Sequence, residues 1–275
     1  MDHIDGTENT YTAPPGYSGD GRRATGDGPA GRPITAVRRE GAAAAHEAES
    51  NRLLRALPVD EYDRLLGQLT PVRLRLKLVL AEPDVPITDV YFVRDGVASM
   101  LATEQEGGDI EVGTIGNEGL VGVPVLLGDD SMPNRVIVQV EGDAWRIDAD
   151  AFRRVLEERP AVRRLCLRFV AYFAGQLSQS VACNRLHTLE ERCARWLLMT
   201  HDRVHGDVFD LTHEFLALML GVRRSGVTVA MGALQRAGIV RYSRGRITVL
   251  DRPRLEEASC DCYRITQVAL DRLLG

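Results

Sequence analysis

The chain has 275 residues, 44% of them hydrophobic and 27% charged, and its 34 basic and 39 acidic side chains leave a net charge of −5. That length suits one large or two ordinary domains with real cores, and the overall acidic balance by itself speaks weakly against a nucleic-acid partner. No stretch is apolar for the roughly 18 residues a membrane span needs, and the amino terminus lacks the apolar segment of a signal peptide, so neither insertion nor secretion is expected.

Residues 1 to about 45 hold eight Gly and four Pro, with Ile4, Ile34 and Val37 as the large aliphatics. Such a stretch buries too little to offset its ordering entropy, so residues 1–48 are expected to form a disordered tail. Asn51–Leu57 and Pro58–Leu69 then show two short helical patterns, with Asn51 as a cap and Pro58 at a first helical position. From Val72 to Leu78 apolar and basic residues alternate, the period of a strand with one buried face. Val90–Val93 and Val97–Leu101 flank Arg94-Asp95-Gly96, a hairpin signal. Further strands are expected at Asp109–Ile115, Arg135–Val140 and Ala144–Ile147. Short strands with frequent turns imply an antiparallel barrel or jelly roll over 49–158.

Beyond Asp148 the period becomes helical, and Pro160 marks a break or a new start. The segment to about Asn184 carries two stripes. Cys166, Val170, Phe173, Leu177, Ser180 and Asn184 follow heptad steps, and Val162, Leu165, Phe169 and Tyr172 make the other. One stripe can pack on the barrel while the other, chiefly Cys166, Val170, Phe173 and Leu177, meets a second copy; a core helix touching only its own chain is the alternative. Residues 159–187 are expected to form a central dimerisation helix and hinge. Thr188-Leu189-Glu190-Glu191 is a capping box that restarts the helix, leaving Arg185-Leu186-His187 as the hinge.

The last expected unit, 188–275, contains the densest signal. Thr212 caps an amphipathic helix with Phe215, Leu216, Met219 and Leu220 on one face, and Gly221 ends it. After Val222 the period resumes with Val227, Ala230, Met231 and Leu234, leaving Arg223, Arg224, Ser225 and Thr228 exposed near the second helix's start. Two short helices around a glycine turn, the second basic at its exposed start, suit entry into a DNA major groove. Ile239–Tyr242, a turn at Ser243-Arg244-Gly245 and Arg246–Leu250 read as a wing. Charge agrees: from Arg192 to Arg254 there are eleven Arg against five acidic residues, so this stretch is +6 and the rest of the chain −11. A local basic field on an acidic protein is an electrostatic footprint for phosphate.

These residues resemble the bacterial Crp/Fnr regulators, named for the cyclic AMP receptor protein and the fumarate and nitrate reduction regulator. The likeness rests on Leu211-Thr212, Gly221, Arg224, Val227 and Leu234, on Tyr91–Gly96, which is similar to a hairpin of the family's cyclic-nucleotide-binding barrel, and extends upstream to about Asn51. It implies an α+β chain: an antiparallel jelly-roll sensor domain, a long dimerisation helix and a carboxyl-terminal winged helix-turn-helix. It further implies a cytoplasmic homodimer on a palindromic promoter site, with double-stranded DNA and RNA polymerase as partners and no membrane. Arg224 falls where the family has its base-reading arginine, and an Arg–guanine pair is worth about 1–3 kcal/mol of discrimination. Ser225 and Val229 replace a glutamate and an arginine of the cyclic-AMP-binding members, so a different operator is expected. Thr212, His213, Arg223 and Thr228 are candidates for base or phosphate contact, and Arg244 and Arg246 for the DNA backbone.

The effector site, expected around Gly119, Gly122, Val123 and Arg135, departs from those members. Their loop reads Gly-Glu-Leu-Gly followed by Arg-Ser, where the glutamate holds the ribose and the arginine the cyclic phosphate; here stand Gly122-Val123-Pro124-Val125 and Arg135-Val136. Losing a hydrogen bond to a charged group costs about 1.5–3 kcal/mol, so tight cyclic AMP binding is not expected. Gly113, Gly116, Gly119 and Gly122, three apart, suit either amides approaching a phosphate or tight turns. Residues 70–150 contain no Cys and no His, which argues against haem and an iron–sulfur cluster there. Cys260-Asp261-Cys262 lacks zinc-finger spacing and a matching second pair, so a structural role and no metal are expected. His201 and His205 are taken as surface residues. All five cysteines, Cys166, Cys183, Cys193, Cys260 and Cys262, lie beyond residue 165, and an odd number suits a reducing cytoplasm. No Walker loop, Gly-x-Ser-x-Gly elbow or His-Glu-x-x-His occurs, so no enzyme is expected. The rival reading is a small-molecule sensor acting through a protein partner without DNA.

Overall fold

The computed structural model describes residues 44–104 and 108–275. Most of the expected tail therefore lies outside the described residues. Its last positions do not behave as a tail: residues 44–47 make a helical turn, and the His46 ring lies 4.9 Å from that of Tyr62. Glu49 follows, buried, accepting hydrogen bonds from Tyr62 Oη and Trp145 Nε1, both at 2.8 Å, and pairing with Arg94 at 3.1 Å. A carboxylate so well supplied with donors tolerates burial, and hydropathy alone does not foresee that.

Asn51 caps helix α1 (Arg52–Arg55) as expected, accepting from Leu54 N, and its amide donates to the carbonyls of Val93 and Gly119. Helix α2 (Val59–Leu66) starts one residue later than anticipated, with Pro58 as its cap. The barrel follows: β1 (Thr70–Leu74), β2 (Val79–Ala81), β3 (Asp89–Glu104), β4 (Gly108–Ile115), β5 (Leu120–Val121), helix α3 (Val123–Leu127) and β6 (Arg135–Asp148). The main sheet order is β1-β6-β3-β4, antiparallel, with β2 on β6 and β5 on β3.

Two local expectations change. The strand expected over Val72–Leu78 ends at Leu74, and in the turn that follows Lys77 is left-handed at φ 64° and Leu76 and Leu78 are exposed. Arg94-Asp95-Gly96 is not a hairpin: β3 runs straight through it as an irregularity in its pairing with β6, and the reversal to β4 falls between Glu104 and Gly108. Gly96 at φ 90° serves the crossing rather than a turn, because a Cβ there would lie 2.5 Å from the Val140 carbonyl oxygen. The two strands expected over 135–147 are the single strand β6, in which Gly142 lets the Asp95 carbonyl approach closely.

Asp148 caps α4 (Ala149–Glu158), and Pro160 opens the central helix α5 (Pro160–Leu186). Its face Val162, Leu165, Phe169 and Tyr172 is buried on the barrel. The Thr188–Glu191 capping box then starts α6 (Leu189–His201). Strand β7 (Val208–Asp210), helices α7 (His213–Leu220) and α8 (Arg224–Arg236), and strands β8 (Val240–Ser243) and β9 (Arg246–Val249) complete the second domain. Its sheet has the order β7-β9-β8, so the wing carries a third strand that its length of three residues concealed. Helix α9 (Arg252–Glu257) precedes α10 (Cys262–Leu274), which turns back along α5; Leu270 and Leu273 enter the barrel core while Tyr263 enters the second core. The carboxyl-terminal helix thus bridges both domains.

The domain junction is polar and buried. Arg203, after α6, grips Glu118 of the barrel with Nη2 at 2.6 Å and Nε at 3.0 Å, and its Nη1 donates to Thr114 Oγ1 at 3.0 Å. Burial alone would raise the Glu118 carboxyl, but the Arg203 guanidinium more than offsets this and holds it below the ordinary range. Nearby, Glu111 accepts from Ser99 Oγ at 2.7 Å and from Trp196 Nε1 of α6 at 3.0 Å. Burial pushes it up to about 7 despite these bonds. Also at the domain edge, His201 is half-buried between Asp207 and Arg252, at 2.8 and 2.7 Å, so it belongs to a structural network and not to the open surface.

Two outcomes follow from the junction. Glu118→Gln strands the Arg203 charge and is expected to cost about 3–5 kcal/mol in chemical unfolding, while Glu118→Leu with Arg203→Met recovers most of the loss. For Glu111 the folded protein prefers the protonated form, so its contribution is complete below the unfolded value near 4.5 and is lost as pH rises through about 7. Thermal unfolding should therefore weaken from pH 5 to pH 8, by roughly 3 kcal/mol from this group, and Glu111→Gln should flatten that part of the profile.

Candidate functional site

The helix pair forms as the sequence indicates. Thr212 Oγ1 accepts from Phe215 N at 3.2 Å, and Gly221 closes α7 in the left-handed region at φ 62°. The two helices meet at a bend of 107°. Val227, Ala230, Met231 and Leu234 bury the inner face of α8, which leaves Arg223, Arg224, Ser225, Thr228 and Val229 on the outer one. Val229 on that outer face is 70% exposed.

The candidate residues there differ in their freedom. Arg224 Nε sits 2.9 Å from Glu214 Oε1, both side chains largely exposed. An exposed pair of this kind is worth about 0.2–1 kcal/mol, so it presets the arginine without withholding it from a stronger acceptor. His213 is engaged more deeply: Nδ1 lies 3.2 Å from Thr228 Oγ1, and the ring stacks on Tyr242 of the wing at 4.0 Å. Thr228 Oγ1 donates to the Arg224 carbonyl at 3.1 Å, so a neutral His213 carrying its proton on Nδ1 completes the chain of bonds. Partial burial, reinforced by Arg224, lowers the His213 pKa and favours that neutral form. His213 and Thr228 thus brace α8 against α7 and the wing. On the wing, Arg244 occupies the turn at φ 50°, followed by Gly245 at φ 78°, the positive pair of a two-residue hairpin. Arg246 pairs with Asp210 at 3.0 Å. Together with Arg241, which the sequence reading passed over, Arg244 and Arg246 line an open cup of about 370 Å³.

In the barrel, three of the four glycines stand where another side chain approaches closely, and Gly122 adopts φ 109°, the left-handed geometry of a turn. A Cβ at Gly113 would lie 2.5 Å from Leu177, at Gly116 2.3 Å from Arg203, and at Gly119 2.2 Å from Phe169. They let α5 and Arg203 approach the sheet. A pocket of about 250 Å³ does open beside them, lined by Met100, Ile115, Gly122, Val123, Asn134 and Phe173 among others, with no charged side chain in its wall. Of the residues expected at an effector site, Gly122 and Val123 line this pocket. Gly119 is under Phe169, and Arg135 points instead to Glu82, with Nε 2.8 Å from Oε2.

Comparison with known proteins decides the family. A cyclic nucleotide-binding domain model matches residues 71–159 and a Crp-like helix-turn-helix model matches residues 191–258, together more than half the chain. The chain belongs to the Crp/Fnr transcriptional regulators. Among solved structures, FixK2 from Bradyrhizobium japonicum superposes with a TM-score of 0.60 at 17% identity, covering 70% of this chain and 98% of that one. A CRP-family transcriptional regulator from Thermus thermophilus gives 0.58 at 18%, covering 68% and 96%. The c-di-GMP-responsive global regulator CLP of Xanthomonas campestris gives 0.56 at 15%, covering 70% and 99%. No curated protein matches.

Within this Crp/Fnr chain the central helix needs a correction. Of the residues expected to meet a second copy, Cys166 and Phe173 are buried in their own barrel core, and Val170 and Leu177 are half-buried against it. Both stripes therefore face inward, because the narrow glycine strip lets the helix sink into the sheet. The exposed heptad lies one residue on, at Leu167, Ala171, Ala174, Ser178 and Val181. The cysteines also regroup: Cys183 and His187, on the last turn of α5, come together with Cys260 and Cys262, their ligand atoms all within 4.8 Å of one another. Linear spacing could not reveal this second pair, which lies more than seventy residues upstream.

Arg224→Ala is expected to weaken binding to the preferred DNA site by about 1–3 kcal/mol, measured by fluorescence anisotropy, while non-specific binding changes little. Glu214→Gln, which frees the arginine and removes a negative charge, should tighten binding about two- to fivefold.

Proposed function

We propose that this Crp/Fnr regulator acts as a homodimer on a palindromic promoter site, reading base edges through Arg224 with Val229 available to a thymine methyl. The observation that carries this is the outward face of α8, where exposed Arg223, Arg224, Ser225 and Val229 stand over a fully buried inner face. The arginines of the wing supply phosphate contacts beside it. Dimerisation is assigned to the exposed heptad of α5: Leu167 is 40% and Val181 72% exposed, and Ala171, Ala174 and Ser178 between them allow close helix approach. Two recognition helices so paired would address half-sites about one DNA turn, roughly 34 Å, apart.

Effector control is part of the same reading. The apolar pocket is walled on one side by Val170, Phe173, Ala174 and Leu177 of α5, so an occupant would bear directly on the helix that carries the seam. Its lining supports a small apolar effector and not cyclic AMP, whose ribose and phosphate would find no charged partner there. We assign no cofactor to the barrel and no catalytic role to the chain; RNA polymerase as a partner and the cytoplasm as the compartment belong to this reading too. No single helix among the described residues is long and apolar enough to cross a membrane. The rival sensor without DNA leaves the α8 face and the wing arginines without a purpose.

Selection from a random DNA pool with purified protein is expected to yield a palindrome with half-sites one turn apart, lost with Arg224→Ala; binding should fall steeply with salt. Absence of enrichment both with and without cell extract would reject the reading. In sedimentation, Ala174→Glu should convert the dimer to monomer and cost at least tenfold in affinity for the palindrome while leaving half-site binding in place.

A further inference from the structure

Cysteines 183, 260 and 262 form a small buried cluster separate from both hydrophobic cores, and the half-buried His187 lies beside it. Cys183 Sγ lies 3.5 Å from Cys260 Sγ, and Cys262 Sγ lies 3.5 Å from His187 Nδ1. Ligands at the usual zinc distances of about 2.3 Å for sulfur and 2.0 Å for nitrogen stand about 3.8 Å apart when both are sulfur and about 3.5 Å apart when one is nitrogen, around a tetrahedral ion. All four ligand atoms here fall within 4.8 Å of one another, so little movement would bring them onto one centre. An iron–sulfur cluster is a poorer fit, because its thiolates bind different irons and stand farther apart than the ligands of one ion.

Local structure delivers these groups in pairs. Cys183 and His187 are four apart and share a face at the end of α5, while Cys260 and Cys262, on either side of Asp261, present two sulfurs at the start of α10. Gln179, one turn before Cys183, donates from Nε2 to Cys262 Sγ at 3.0 Å, the kind of outer contact that orients a metal-bound thiolate. We propose that Cys183, His187, Cys260 and Cys262 bind one zinc-class divalent cation in a closed site of three sulfurs and one nitrogen. The four ligands leave no open position, so the ion is structural. His187 is the residue that ends α5 and precedes the capping box of α6, which makes the ion a clamp on the hinge between sensor and DNA-binding domains. Its binding is independent of DNA recognition, so the two readings stand or fall separately.

Elemental analysis of the full chain, expressed without an affinity tag and purified without chelator, is expected to find about one zinc per chain, the stoichiometry of a single closed site. Replacing it by Co2+ should give the intense ligand-field bands of tetrahedral cobalt together with a thiolate-to-cobalt charge-transfer band. The variant with Cys260→Ser and Cys262→Ser together should lose the metal, and Cys166→Ala should keep it. Should the double variant fail to fold, Gln179→Leu decides: it keeps all four ligands and is expected to lower affinity about 10–100-fold in competition with a chromophoric chelator. Protein that stays metal-free after incubation with Zn2+ overturns the proposal. So does a Cys183–Cys260 disulfide found by mass spectrometry in the freshly isolated chain, or acid-labile sulfide signalling a cluster.

Discussion

The bidentate grip of Arg203 on Glu118 is the constraint around which the two domains are arranged. A guanidinium and a carboxylate this deeply buried are tolerable only together, since either alone would forfeit its hydration without compensation. The pair demands room, and Gly116 provides it: any side chain there would collide with the arginine stem. The Arg203 carbonyl also accepts from Gly96 N at 3.0 Å, so one residue after α6 holds several barrel segments at once. Motion of the DNA-binding domain relative to the sensor must either carry this ion pair along or break it at considerable cost, so the junction is a firm contact instead of a loose tether.

Glycine and aromatic residues cooperate on the other side of the barrel. Phe169 lies in the gap that Gly119 leaves, and Phe173 and Leu177 lie over Gly113, so the central helix is sunk into the sheet. That depth turns both apolar stripes of α5 inward and leaves the small-residue heptad of Leu167, Ala171, Ala174, Ser178 and Val181 outside. The apolar pocket exists because the packing stops short of complete at the edge of the same contact, next to Gly122.

The sequence made the helix pair, its cap, its glycine turn and the wing turn legible because each is fixed by a local rule: a Thr side chain accepting amides, a left-handed Gly, a two-residue hairpin with positive φ. Capping likewise marked the hinge at Thr188. Long-range facts were hidden. Asp95-Gly96 satisfies hairpin chemistry yet lies in a crossing, since the choice depends on β6, more than forty residues away. Heptad spacing located the central helix but not its outward face, which a one-residue shift moves by about 100°. Cys183 and His187 looked ordinary until the return of α10 brought Cys260 and Cys262 beside them. Arg241 and Glu214 could have been found from the sequence, as one lies just before the wing turn and the other beside the cap of α7.

The path of α10 has a bearing on how the protein is born. Leu270 and Leu273 complete the barrel's core, yet they leave the ribosome after the whole DNA-binding domain has been made. The sensor must therefore wait, partly uncovered, through the synthesis of its neighbour, while the helix-turn-helix and wing can close on their own shorter-range contacts. During that interval the sites that Leu270 and Leu273 fill stay open, so the barrel's core is completed by the last helix to be made.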